Sequence, residues 1–233
     1  MLLKIEFMHF MTRPWRMIIC LVLALLAIFS TNLLLAAAAI IPRAPEIAAT
    51  SYILLDAKTG HIIVEQNADE ALPPASLTKI MTAYIAVEEI LSGNLRLDDE
   101  VHISEKAWRM EGSKMFVGVN TRVSVGDLLR GIIIQSGNDA SVAIAEHIAG
   151  SEEAFADMMN QYSEVLGLTS SFFMNSSGLD TELYYNTMSA RDLSILARAT
   201  ITRHGQYYPI YAEREFTYND IRQSNRNTLL FRD

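Results

Sequence analysis

Cysteine is almost missing from this sequence: Cys20 is the only one, and it lies in an apolar stretch near the N-terminus. A chain processed after residue 39 has no thiol, which excludes a disulfide, a thiolate metal site and a cysteine nucleophile. Met17, Ile18 and Ile19 precede Cys20 where a lipoprotein would carry Leu-Ala-Gly, so no lipidation is expected. Positive charge is scarce as well. The formal net charge is −8, and loss of residues 1–39, with Lys4, Arg13 and Arg16 against Glu6, takes it to −10. Such a chain lacks the basic surface that nucleic-acid contacts require. Beyond residue 39 the histidines are His61, His102, His147 and His204, with no pair at helical spacing. No metal site and no cofactor are therefore expected. Internal repeats are also missing, as are low-complexity tracts outside the N-terminal stretch.

What is present begins with a leader. Three basic residues, an apolar run from Met17 to Phe29, a second from Leu33, and the small residues Ala36 to Ala39 have the three-part plan of a secretory signal peptide over 1–39. The alternative is an uncleaved membrane anchor, although Ser30, Thr31 and Asn32 interrupt the span. Residues 40–233 then form the expected domain.

Two β-rich runs, Tyr52 to Leu55 and His61 to Glu65, flank Asp-Ala-Lys-Thr-Gly, a hairpin pattern. An amphipathic helix is expected next, with Ile80, Ala83, Tyr84, Val87 and Leu91 on one stripe packing on that hairpin, and a stop at Ser92-Gly93-Asn94. Residues 95–123 read as loops and short strands. Ser124-Val-Gly-Asp127 is a capping box opening a helix that breaks at Ser136-Gly137-Asn138. Further helices are expected from about Ala140 to Ala149, from Ser151 to Gly167, and from Ser189 to His204. Phe155, Met158, Met159 and Tyr162 fall at helical spacing and are assigned to the core.

Two short stretches carry chemistry. Ser76 and Lys79 stand three residues apart at a helix start, so they share a face. A serine hydroxyl is a poor nucleophile until a base sits beside it, and a lysine serves once burial disfavours its ammonium form. Lys79 is accordingly expected to be buried. Taken alone, a serine there is more often a simple cap. Sixty residues later Ser136-Gly137-Asn138 offers a hydroxyl and a carboxamide at a break between helices, although this too is ordinary turn chemistry by itself. Lys58-Thr59-Gly60 resembles a third motif but precedes Ser76 and is read as a hairpin turn.

Together, Pro74-Ala-Ser76-Leu-Thr-Lys79, Arg130-Gly-Ile-Ile-Ile-Gln-Ser136-Gly-Asn138-Asp-Ala and Ser189-Ala-Arg-Asp192 resemble the D-alanyl-D-alanine carboxypeptidases, low-molecular-mass penicillin-binding proteins. The resemblance implies an α+β fold of the penicillin-binding protein and serine β-lactamase type: an antiparallel sheet with a helical subdomain. It also implies that Ser76 attacks, Lys79 accepts its proton, Ser136 relays a proton to the leaving amine, and Asn138 holds Lys79 and a substrate amide. The partners it implies are a peptidoglycan stem pentapeptide and, as covalent inhibitors, β-lactams. The location it implies is the periplasm or the outer face of the plasma membrane, with membrane association possible in a longer protein. The family's Lys-Thr-Gly motif does not follow Ser136 before Asp233, so the chain is expected to be a C-terminally truncated form with an incomplete sheet. A D,D-endopeptidase, a serine β-lactamase and a non-catalytic wall-associated module are the alternatives. Against the β-lactamase, position 137 is glycine and no Glu-x-x-Leu-Asn segment is found.

Overall fold

The computed structural model describes residues 46–179, 181 and 185–232, together with 18 and 21–23. Nearly all of the expected signal peptide lies outside the described residues. None of the described helices is long and apolar enough to cross a membrane.

Strands β1 (Tyr52–Leu55) and β2 (Ile62–Gln66) pair antiparallel, with Tyr52 opposite Gln66. Their turn is the Asp56-to-Gly60 segment. The Asp56 carboxylate accepts from the Thr59 N–H at 2.6 Å and the Thr59 hydroxyl at 2.7 Å, and Gly60 takes φ +77°. Lys58-Thr59-Gly60 is thus turn chemistry in the structure.

A 3₁₀ turn (Ala75–Thr78) leads into helix α1 (Lys79–Leu91), so Ser76 sits one turn before the α-helix proper. The expected single stripe is too narrow. Met81 and Ile85, from another side of the helix, are as buried as Ala83 and Tyr84, whereas Leu91 is 47% exposed. The reason is position. One side of α1 supplies Ala83, Ala86 and Val87 to a core with Leu128, Leu129 and Ile144. The other supplies Met81, Tyr84 and Ile85 to a core with Phe155, Met159 and Leu196. A helix with apolar residues all round is a buried helix, and each large side chain so buried contributes about 1.5–3 kcal/mol.

Around α1 stand helices α3 (Val125–Gln135), α4 (Asn138–Ala149), α5 (Glu152–Leu166) and α6 (Ala190–Arg203). Serine caps start three of them: Ser124 Oγ accepts from Asp127 N, Ser151 Oγ from Ala154 N, and Ser189 Oγ from Asp192 N. Glycines at left-handed φ end α4 at Gly150 and α5 at Gly167. Phe155 and Met159 lie in the core, with Met158 and Tyr162 at its margin.

Three expectations are corrected here. It is α6 that packs against β1, and Arg198 from α6 donates to the Ala57 and Lys58 carbonyls of the turn; α1 is held instead between helices. The break after α3 is only Ser136-Gly137, so α4 starts at Asn138 and not at 140. Residues 95–123 contain, besides strand β3 (Glu100–His102), a short helix α2 (Glu105–Arg109) capped by Ser104. Strand β3 pairs with β4 (Arg122–Ser124), and β5 (Glu215–Tyr218) pairs with β6 (Ile221–Ser224). The described strands therefore form three two-stranded antiparallel ribbons beside the helices, an α+β arrangement.

Candidate active site

Ser76 is exposed while Lys79 is 4% exposed. The 3₁₀ turn and the first turn of α1 bring the Lys79 amine to 3.2 Å from Ser76 Oγ. Its other partner is the Ser177 carbonyl, to which Nζ donates at 2.5 Å. Burial is the main reason that the Lys79 pKa falls from 10.5 to about 8. The nearby Arg226 guanidinium pushes in the same direction, and the Asp139 carboxylate opposes it. The result is an accessible hydroxyl beside an amine whose charged form is disfavoured.

The backbone leading to Ser76 is strained. Ala75 has φ +46°, which costs a residue with a Cβ roughly 1–2 kcal/mol. The chain tolerates this because another loop presses on it. A Cβ added at Gly178, itself at φ +70°, would lie 1.8 Å from the Ala75 carbonyl oxygen. Only glycine allows the 175–178 loop to come this close, and that closeness puts the Ser177 carbonyl on Lys79.

Ser136 caps α3 in the left-handed conformation (φ 61°, ψ 41°), a second strained non-glycine residue. It is half-buried, and its hydroxyl makes no hydrogen bond among the described residues. Asn138 starts α4. Its Nδ2 donates to the Glu111 carbonyl at 2.7 Å and its N–H to the Ser113 carbonyl at 2.7 Å. Contrary to expectation, no hydrogen bond joins Asn138 to Lys79 among the described residues. The carboxamide nitrogen is spent on the Glu111 carbonyl, and the Lys79 amine donates to the Ser177 carbonyl.

Sequence reasoning passed over the residue after Asn138. Asp139 is 1% exposed, and its carboxylate accepts from four backbone N–H groups, those of Met115, Phe116, Val117 and Ala140, at 2.9–3.2 Å. It pins the 115–117 loop to the start of α4. A signal was present: an acid opening a helix whose next residues, Ala140 to Ala145, are nearly all apolar. Arg226 was also missed. It donates to Ser113 Oγ at 2.7 Å from a loop fixed by the buried Asn225, which donates to the Tyr211 and Glu213 carbonyls. No sequence pattern links positions 113 and 226. The described residues hold no cluster of histidines, acids or cysteines able to bind a metal.

Comparison with known proteins places this geometry. Residues 38–233 match the S11 peptidases, described as D-alanyl-D-alanine carboxypeptidase. The chain is 44% identical over 195 residues to the D-alanyl-D-alanine carboxypeptidase DacC of Escherichia coli K12, covering 81% of this chain and 48% of that protein. Penicillin-binding protein 5 from Haemophilus influenzae superposes with a TM-score of 0.77 at 43% identity, over 81% of this chain and 55% of that one. Penicillin-binding protein D2 from Listeria monocytogenes, solved in its ampicillin-bound form, gives 0.71 at 25% identity, over 81% and 77%. The chain thus spans about half the length of the curated relatives it matches. A buried lysine beside an exposed serine, on a chain with these likenesses, leads to one assignment: the chain belongs to the D-alanyl-D-alanine carboxypeptidase family of S11 peptidases.

Proposed function

We propose that this chain carries the nucleophile half of a serine-type D-Ala-D-Ala carboxypeptidase acting on peptidoglycan stem peptides. The observation that carries the reading is the 3.2 Å contact between Ser76 Oγ and a buried Lys79 amine whose pKa is about 8. Lys79 takes the hydroxyl proton as Oγ attacks the carbonyl of the penultimate D-alanine. Collapse of the tetrahedral intermediate breaks the C–N bond to the terminal D-alanine, whose amine leaves with a proton delivered through Ser136. Water then hydrolyses the ester and restores Ser76. With a β-lactam, the same attack opens the ring amide and leaves the acyl group on Ser76. The ampicillin-bound Listeria relative supports this part. Asn138 shapes the substrate side of the cleft through its hold on the 111–113 backbone. Residues 1–39 act as the export signal, which places the domain in the periplasm or at the outer face of the plasma membrane, where its polymeric substrate lies.

The test is intact-mass analysis of the chain after incubation with penicillin, with Ser76→Ala as control. The expected result is one adduct per chain, lost in the variant. A folded chain with no adduct, or an adduct that survives Ser76→Ala, overturns the assignment. Release of D-alanine from a pentapeptide monomer, compared with cleavage of a cross-linked dimer, separates carboxypeptidase from endopeptidase action.

A further inference from the structure

The loop that delivers the Ser177 carbonyl to Lys79 is held by buried polar contacts on two sides. On the side of the nucleophile helix, Thr82 Oγ1 donates to the Ser176 carbonyl at 2.6 Å and Lys79 Nζ to the Ser177 carbonyl. Asn186 Nδ2 adds bonds to Thr78 Oγ1 and to the Asn175 carbonyl. On the other side stands one residue, Glu152, in the first turn of α5 and 7% exposed. Its Oε1 accepts from the Ser176 N–H at 3.1 Å and from the Ser176 hydroxyl at 2.8 Å. Its Oε2 pairs with Lys106 of α2 at 3.1 Å. Ser176 and Ser177 are both fully buried, so if Glu152 is removed the N–H and hydroxyl of Ser176 lose their acceptor where water does not reach.

We propose that Glu152 is a positioning residue for the general base: by clamping Ser176 it fixes the next carbonyl, that of Ser177, on the Lys79 amine. The chemical consequence follows from the lone pair. A neutral amine has one lone pair and two N–H bonds. Donation of an N–H to a fixed carbonyl orients the amine and turns the lone pair toward Ser76 Oγ. If the clamp opens, the loop loosens, water reaches Nζ, and both the orientation and the burial that disfavours the ammonium are lost. The charged groups that act on Lys79 are Asp139 from α4 and Arg226 from the segment after β6. Those at Glu152 are Lys106 from α2 and the neighbouring Glu153, which shares Lys106 at 3.0 Å.

This inference rests on the reading of Lys79 as base, and the experiment separates the two. The ¹³Cε resonance of Lys79 is followed against pH in labelled protein, where the sequence holds only four other lysines, alongside the rate of penicillin adduct formation. Glu152→Ala is expected to move the Lys79 midpoint upward from about 8 toward 10.5, and each pH unit gained cuts adduct formation at pH 7 about tenfold. Glu152→Gln keeps an oxygen on Ser176 and is expected to stay within about twofold of the parent, although it loses the ion pair. Lys106→Met is expected to behave in the same way. Ser176→Ala removes one of the two clamp bonds and is expected to fall between; it decides the matter if Glu152→Ala does not fold, as judged by circular dichroism. A midpoint and rate unchanged in Glu152→Ala, or in Ser176→Ala where that variant decides, overturn the proposal. So does a Glu152→Gln as impaired as the alanine variant. A midpoint that moves in a protein whose Ser76 never forms an adduct supports the clamp and refutes the catalytic reading alone.

Discussion

The rate at which Ser76 is acylated should rise with pH through a single midpoint near 8. A lysine ordinarily titrates at 10.5, where about one molecule in three thousand is neutral at pH 7; with the Lys79 pKa of about 8 the share is near one in ten. Between these values lies a gain of roughly 300-fold in neutral amine, or about 3 kcal/mol of disfavour to the ammonium. The same energy has a stability side. Between about pH 8 and 10.5 the unfolded chain holds the lysine proton and the folded chain does not, so stability rises with pH across that window and is lowest relative to it below 8. Lys79→Met removes the buried ammonium. It should therefore abolish acylation while raising the melting temperature at pH 7, by up to the equivalent of about 3 kcal/mol less the lost hydrogen bonds to Ser76 and Ser177. The gain should vanish by about pH 10.5. Stopped-flow acylation with a chromogenic cephalosporin and thermal melts across pH 6–11 measure both. An acylation rate that is flat from pH 6 to 10, or a midpoint near 10.5, would refute the argument that burial prepares the amine.

Arg226→Ala withdraws a cation from Lys79 and should move the acylation midpoint above 8, slowing the reaction at pH 7 and leaving the high-pH plateau intact; a downward move contradicts the assignment. Gly178→Ala forces a Cβ into the Ala75 carbonyl at a left-handed position, so it should cost at least about 2 kcal/mol and reduce acylation more than tenfold. Chemical denaturation with adduct counting checks it, and an unchanged adduct would show that the two loops are not in contact. Asp139→Ala leaves four backbone N–H groups without their acceptor, at about 1–3 kcal/mol for each that water cannot reach, and should lower stability by at least about 3 kcal/mol. A variant with a parental urea midpoint would remove Asp139 from the scaffold of the site.

Local chemistry was legible in the sequence wherever neighbours along the chain decide it. The β1–β2 turn is held by Asp56 and Thr59, three residues apart. Ser124, Ser151 and Ser189 cap the helices they precede, and Ser76 and Lys79 meet because they share a turn. Their residue types and spacing sufficed for these features. Tertiary structure decided what surrounds that pair. Whether α1 is amphipathic or buried all round depends on how many helices gather about it, which its own periodicity does not state. Ser177 lies 98 residues from Lys79, Glu152 lies 24 from Ser176, and Ser113 lies 113 from Arg226. Each of these contacts depends on loop closure, and that of Ser177 also on the absence of a side chain at Gly178; no local spacing encodes this. Thus the sequence placed Ser76 and Lys79 side by side, and the packing of distant loops buried the amine against the Ser177 carbonyl.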